Sequence, residues 1–238
     1  MTVIKICGLT SIEDALGAAA SGADIIGMVF APSHRRVSPE LAFTIVKQVR
    51  QMPHHPIIAG VFVNEQPQSV NEIAAYCSLD IVQLSGDESW DYGRKLACPF
   101  IKVIHVTPAS NSTDIVLSIK KGYTSTQGMS FICMLDCKFD SNYGGSGLSF
   151  NWDIAAEATL RFPLMIAGGL SAGNVRKLMR QANPAGVDVS SGVEIEGKKD
   201  IGRIQEFIQA VRFTGGRPCK DHILLKKLLR EGGKYVTR

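Results

Sequence analysis

Short apolar runs rich in β-branched residues recur along the chain, separated by polar segments that carry the marks of helices. The runs are Val3–Cys7, Asp24–Phe30, Ile57–Val63, Asp80–Leu84, Phe100–Val106, Phe131–Leu135, Leu164–Ala167 and Gly186–Val189, eight predicted strands in all. Segments such as IIGMVF and IIAGVFV are apolar almost without a break. A strand covered on both faces reads that way, whereas a half-exposed strand alternates. Helix starts are written between them, in Thr10-Ser11-Ile12-Glu13 before DALGAAA, Ser38-Pro39-Glu40 before LAFTIVKQVR and Ser171-Ala172-Gly173-Asn174 before VRKLMR. In each, a short polar side chain is placed to accept one of the N–H groups that the first helical turn leaves unbonded.

The order is therefore strand then helix, repeated. Eight such units in one chain fit a closed barrel better than an open sheet, because doubly wound sheets usually have fewer strands and a glycine-rich fingerprint after the first. No G-x-G-x-x-G follows Val3–Cys7. The expected fold is α/β, a single (β/α)8 TIM-type barrel over residues 1–212, with a short basic C-terminal extension over 213–238. That extension starts at a Gly-Gly/Pro breaker and carries leucines at 224, 225, 228 and 229 before Gly232-Gly233. It reads as a short amphipathic helix docked on the barrel or as a disordered end; a contact with an anionic surface and a linker to a fused enzyme are its alternatives.

Composition changes this picture little. With 238 residues, 45% hydrophobic and 20% charged, the chain is an ordinary globular one able to bury one large core. The net charge of +4 would hint at a polyanion partner, but residues 217–238 alone carry +5 and the remainder is close to neutral. Nucleic acid is not an expected partner. Neither a secretory signal nor an apolar run long enough to cross a bilayer is evident, so a cytoplasmic location and no membrane partner are expected. Six cysteines without C-x-x-C spacing predict free thiols, and five histidines without clustered spacing predict no bound metal.

In such a barrel the reacting groups stand at the carboxyl ends of the strands. That rule selects Cys7-Gly8, the loop APSHRRVS with Arg35 and Arg36, Gln83–Gly86, Asp136 with the following GGSG, Gly168-Gly169 and Ser190-Ser191-Gly192. Small residues after the seventh and eighth strands let backbone N–H groups approach an anion, which suits a phosphate. Taken singly, each feature has a blander reading. A glycine pair also makes a tight turn, a cysteine in an apolar strand is also a small buried hydrophobe, an aspartate at a strand end is also a cap, and loop arginines are also surface charge.

Read in order, the motifs resemble the phosphoribosylanthranilate isomerase family over residues 3 to about 211. KICGLT with EDA, GADIIGMVF with SHRRVS, GVFVNE, VQLSGDES, LD…YGGSG…NW, AGGL…NV and VDVSSGVE…GKKD carry the likeness. KICG and VDVSSGVE are its specific elements. The resemblance implies a cofactor-free Amadori rearrangement of N-(5-phosphoribosyl)anthranilate, a small phosphorylated substrate, to 1-(2-carboxyphenylamino)-1-deoxyribulose 5-phosphate. Asp136 would be the general acid on the ring oxygen and Cys7 the general base at C2. Arg35 would pair with the anthranilate carboxylate and Asp188 would face the substrate. Gly168, Gly169, Ser190, Ser191 and Gly192 would hold the phosphate. Either a monomer or a homodimer is compatible.

An acid that is an aspartate and a base that is a cysteine invert the ordinary order of acidities by about 4.6 units, or roughly 6 kcal/mol of environmental bias. Burial of the aspartate and a cation near the cysteine are the available means. The chain departs from the family at Ser85, where VQLHGDE would put a histidine, and more mildly at Ser146 and Asn151. Other phosphosugar barrels fit less well. A ribulose-phosphate epimerase would want metal-ligating histidines at strand ends, and an indole-glycerol-phosphate synthase a catalytic lysine, for which Lys5 and Lys102 are the candidates. A catalytically silent phosphate-binding barrel is the alternative from another class.

Overall fold

The computed structural model describes residues 1–126, 129–137 and 151–214. Strands β1 (Val3–Cys7), β2 (Ile25–Val29), β3 (Ile57–Phe62), β4 (Ile81–Leu84), β5 (Phe100–Val106), β6 (Phe131–Cys137), β7 (Leu164–Ile166) and β8 (Gly186–Val189) form a closed parallel barrel in chain order. Closure is made by β8 against β1, with Lys5 opposite Asp188 in the register. The helices are α1 (Ile12–Ala20), α2 (Pro39–Val49), α3 (Pro67–Tyr76), α4 (Ser112–Ser125), α5 (Trp152–Thr159), α6 (Val175–Ala182) and α7 (Ile201–Phe213). The expected eight-unit barrel is thus the observed one. The predicted GGSG loop and most of the C-terminal extension lie outside the described residues.

Local chemistry explains the starts. Ser11 Oγ accepts from Asp14 N at 3.0 Å and Ser38 Oγ from Leu41 N at 3.3 Å, so two of the three predicted caps are made. Asn174 caps α6 without a side-chain bond to that helix. Its side chain instead ties the preceding loop, accepting from Ser171 N at 2.9 Å and donating to Gly169 O at 2.7 Å. Two further features differ from the sequence reading. Between β4 and β5 there is only a short 3-10 turn, Trp90–Lys95, in which Gly93 lies against the Phe100 ring with no room for a side chain. Strand β6 runs on through Asp136 to Cys137 rather than ending at Leu135.

Two apolar layers result from strand alternation. The outer one joins Ile4, Ile6, Ile26, Met28, Val82, Leu84, Leu135, Cys137, Val187 and Val189 to the helices. The inner one contains Val3, Ile25, Ala59, Ile81, Ile101, Val103, Ile132, Met134 and Met165. By the same parity Lys5, Cys7, Gly27, Gln83, His105, Asp136 and Asp188 face the interior, above that apolar floor. The barrel is consequently greasy at its amino end and polar towards its carboxyl end.

Lys102 has the opposite parity and points outwards. Its Nζ donates to Glu88 Oε2 at 3.1 Å and to Gly86 O at 3.2 Å. Glu88 also accepts from Asn64 N at 2.7 Å and from Gly86 N at 3.0 Å, fastening the loop after β4 to the loop after β3. The pair is buried. Removing one partner leaves the other charge without compensation, which costs far more than loss of a surface pair. Glu88→Ala is therefore expected to lose about 3 kcal/mol or more of unfolding free energy in urea. Glu157→Ala, which breaks the exposed pair with Arg161, is expected to change it by about 0.5 kcal/mol or less. Equal effects would show that the Lys102–Glu88 pair is not a buried tie.

Candidate active site

The polar half of the barrel begins with Lys5, which is fully buried. An ammonium in that position requires a partner, and Asp188 Oδ1 stands 2.7 Å from its Nζ across the β1–β8 seam. Cys7 is two residues further along β1. A Cβ placed on Gly27 would lie 2.9 Å from Cys7 Sγ and 3.1 Å from Lys5 Nζ, so both tips enter the hollow that this glycine leaves on β2. Burial pushes the Cys7 thiol above its ordinary range, while Lys5 pulls it down, Asp188 pushes it up and Lys199 pulls it down again. For Lys5 burial acts to lower the pKa, yet Asp188 and Cys7 outweigh it and the ammonium is held charged.

Asp136 enters the same chamber from β6. Burial, reinforced by the negative charge of Asp188, pushes its carboxyl up to about 7, against the smaller pull of the Cys137 N–H and Lys5. Gly168 makes room for it: at φ +88° this residue has backbone that suits glycine, and a Cβ there would come 2.9 Å from Asp136 Oδ1. On the next strand, His105 is the register partner of Asp136 and its Nε2 lies 2.9 Å from Ser85 O. Ser85 Oγ accepts from Gln83 Nε2 at 2.9 Å, whereas Gln83 Oε1 is buried without a partner among the described residues.

Arg35 curls back from the loop after β2 over Gly8. Its Nε and Nη2 grip Glu194 at 2.7 and 2.8 Å. That occupies the side edge of the guanidinium and leaves the end fork, Nη1 with the second hydrogen of Nη2, for another planar acceptor. Glu194 and Lys199 belong to a short hairpin, β9 (Glu194–Ile195) and β10 (Lys198–Lys199), inserted after β8. Lys199 Nζ donates to Glu194 Oε1 at 2.5 Å, to Ser190 O at 3.0 Å and to Ser190 Oγ at 3.2 Å. Between its two cations the Glu194 carboxyl falls to about 2 although burial opposes this.

The loops after β7 and β8 touch. Gly168 and Gly169 both have positive φ, and the α-carbon of Gly192 is pressed so closely on the Leu170 carbonyl that no Cβ fits. The N–H groups of Gly169, Ser191 and Gly192 have no hydrogen-bond acceptor among the described residues. Donors left open in adjoining turns form the kind of concavity that receives an anion.

The structure brings Cys7, Asp136 and Asp188 around one chamber, with Arg35 and the two small-residue turns at its rim. It removes Lys102 from that group. Sequence reasoning gave Glu194 and Lys199 no role, and offered Lys5 only as a candidate lysine for a different barrel enzyme. Lys5 was detectable, since a lysine inside VIKIC shares the parity of Cys7 and so points inwards; nothing local signals that Glu194 meets Arg35. A cavity of 510 Å³ at the other end of the barrel is lined by Val3, Asp24, Arg50, His55 and Asp80 among others, and none of the candidate site residues borders it. Among the described residues there is no cluster of three or more metal-ligating side chains. No helix among them is long and apolar enough to cross a membrane.

A family model described as N-(5'-phosphoribosyl)anthranilate (PRA) isomerase matches residues 4–210. The N-(5'-phosphoribosyl)anthranilate isomerase of Dehalococcoides mccartyi is 41% identical over 220 residues, covering 92% of this chain and all of that protein. A crystal structure of the phosphoribosyl anthranilate isomerase of Thermotoga maritima superposes with a TM-score of 0.76 at 37% identity, covering 90% of this chain and all of that one. A phosphoribosyl anthranilate isomerase in complex with reduced 1-(o-carboxyphenylamino)-1-deoxyribulose 5-phosphate gives 0.73 at 37% identity, with the same coverage.

The raised pKa of Asp136 has a thermodynamic signature. The folded chain keeps this proton up to about pH 7, the unfolded chain only up to about 3.8. Folding therefore binds a proton between those values, and the contribution of Asp136 to stability declines as pH rises through that window and is level above it. Asp136→Asn removes the burden. Its Tm advantage over wild type is expected to widen from about pH 4 to about pH 7 and then stay constant; a difference independent of pH would show that Asp136 is not held protonated.

Proposed function

The chain belongs to the N-(5'-phosphoribosyl)anthranilate isomerase family and is an isomerase of tryptophan biosynthesis, and from that premise we propose that Asp136 is its general acid and Cys7 its general base. Asp136, carrying a proton near neutrality, gives it to the furanose ring oxygen as the C1-attached amine opens the ring to an iminium ion. The iminium acidifies C2–H. Cys7 as thiolate takes that proton, and its electrons move to neutralise the iminium. The enolamine so formed loses its O2 proton and gains one at C1, giving the ketone, with no net change in protons or electrons.

What carries this reading is the buried Asp136 carboxyl, pushed up to about 7, facing the same barrel interior as the thiol of Cys7. Around them, Asp188 faces the substrate and the end fork of Arg35 takes the anthranilate carboxylate, its side edge already fixed by Glu194. Gly168, Gly169, Ser190, Ser191 and Gly192 hold the phosphate through backbone N–H groups and small side chains that do not obstruct it. Each of the chemical steps is a proton transfer at carbon or oxygen, for which positioned side chains suffice.

The thiol lies above its ordinary range and the carboxyl near 7, so the reactive form, thiolate with carboxylic acid, is a minor tautomer of the singly deprotonated enzyme. Its population rises as the first proton leaves and falls as the second does. The profile of kcat/KM is accordingly expected to be a bell whose lower limb lies near pH 7.

Freshly made phosphoribosylanthranilate loses its anthranilate fluorescence on rearrangement, which gives a direct assay. Turnover by the wild type in the presence of a chelator is expected to drop by about 100-fold or more in both Cys7→Ala and Asp136→Asn. Arg35→Met should raise KM more than it lowers kcat. Retained turnover in either of the first two variants removes that residue from its role, and no turnover by folded wild type removes the substrate assignment.

A further inference from the structure

We propose that the buried Lys5–Asp188 ion pair sets the two opposite protonation states the reaction needs, its ammonium end stabilising the Cys7 thiolate and its carboxylate end keeping Asp136 protonated. This rests on the reading of Cys7 as base and Asp136 as acid. Lys5 is then a positioning residue, acting on the reaction through Cys7.

The argument is geometric. Lys5 has no contact with solvent, and its stem runs up the inside of β1 from the apolar floor to the hollow at Gly27, where its tip lies beside Cys7 Sγ. A lysine confined there is more costly than an apolar residue of the same length, which would satisfy the core equally well. Asp188 fixes the other end of the pair at 2.7 Å, and the register sets it level with Asp136: Leu135 pairs with Ile166 and Ile166 with Val187, so Asp136 and Asp188 each stand one residue further on, facing the interior with β7 between them. In a site with little water, a charge at about 4 to 6 Å shifts a neighbour by about 1 to 3 units. One pair thus pushes the two reacting groups in opposite directions, downwards at the thiol and upwards at the carboxyl.

Other charges face the same groups without doing this. Lys199 reaches towards Cys7 from the hairpin after β8, but its ammonium is shared among Glu194 and Ser190. Arg35 is saturated along one edge by Glu194. His105, beside Asp136, is bound through Nε2 to the Ser85 carbonyl. Among these groups, only the Lys5–Asp188 pair is tied to neither a rim loop nor a backbone carbonyl.

The test compares wild type with Lys5→Met, Asp188→Asn and Lys5→Met/Asp188→Asn, the double variant leaving no buried unpaired charge should Lys5→Met fail to fold. Alkylation of Cys7 by iodoacetamide, followed peptide by peptide across pH, reads the thiolate directly. Removing the ammonium is expected to raise the alkylation midpoint by about one unit or more and to lower kcat on the order of 100-fold with KM little changed. Asp188→Asn is expected to move the lower limb of the kcat/KM profile to lower pH. A folded Lys5→Met whose alkylation midpoint matches wild type, or a folded double variant whose midpoint matches that of Asp188→Asn, overturns the ammonium end; an unmoved lower limb in Asp188→Asn overturns the carboxylate end. If Cys7→Ala turns over like wild type, the underlying reading fails instead, and the alkylation data still report what Lys5 does to the thiol.

Discussion

A charged lysine lies wholly inside the barrel, and the carboxylate that neutralises it comes from the strand that closes the sheet. Much else follows from accommodating that pair. Its partners must stand opposite one another, which fixes the register of β8 on β1. Residues of the same parity above it must be polar or small, because an apolar lid would isolate the charges completely. Gly27 supplies the space into which the ammonium and the Cys7 thiol both project. Below it the interior is closed by valine, isoleucine, methionine and alanine, so an apolar floor lies beneath the polar residues of the mouth.

The rim is built by a second ionic device of different character. Glu194 gathers Arg35 and Lys199, which come from loops far apart in the chain, and Lys199 extends the arrangement to Ser190. Each donor is held before any ligand arrives. An arginine whose side edge is already occupied loses little further freedom when its end fork meets a carboxylate, and preorganisation of that kind favours binding. On the proposed mechanism, the inner pair would serve the chemistry and the rim cluster recognition.

The strands were legible because parallel strands buried on both faces leave nearly unbroken apolar runs, as in IIGMVF and IIAGVFV, and the caps Ser11 and Ser38 were legible because their hydrogen bonds are local. Failures came where a residue served the site against the pattern. Asp136 interrupts an apolar run, so β6 seemed to stop before it, although the strand continues and carries the carboxyl inwards. Lys102 resembled an interior lysine until its parity sent it outwards to Glu88. The pairing of Arg35 with Glu194 spans 159 positions, and no local periodicity encodes a contact of that range. Within the short turn at Trp90–Lys95, Gly93 lies flat on the Phe100 ring, a tertiary contact invisible to helix propensity.

The interlock between Gly192 and the Leu170 carbonyl bears on how such a barrel can change during descent or redesign. Two loops in that degree of contact cannot vary one at a time, since any side chain at position 192 displaces the backbone of its neighbour. They form one interlocked unit, whereas Arg35 of the loop after β2 reaches Glu194 by its side chain alone. On the site assignment proposed above, new specificities would therefore be more readily acquired at the Arg35 end than at the turns after β7 and β8, whose two halves would have to be exchanged together.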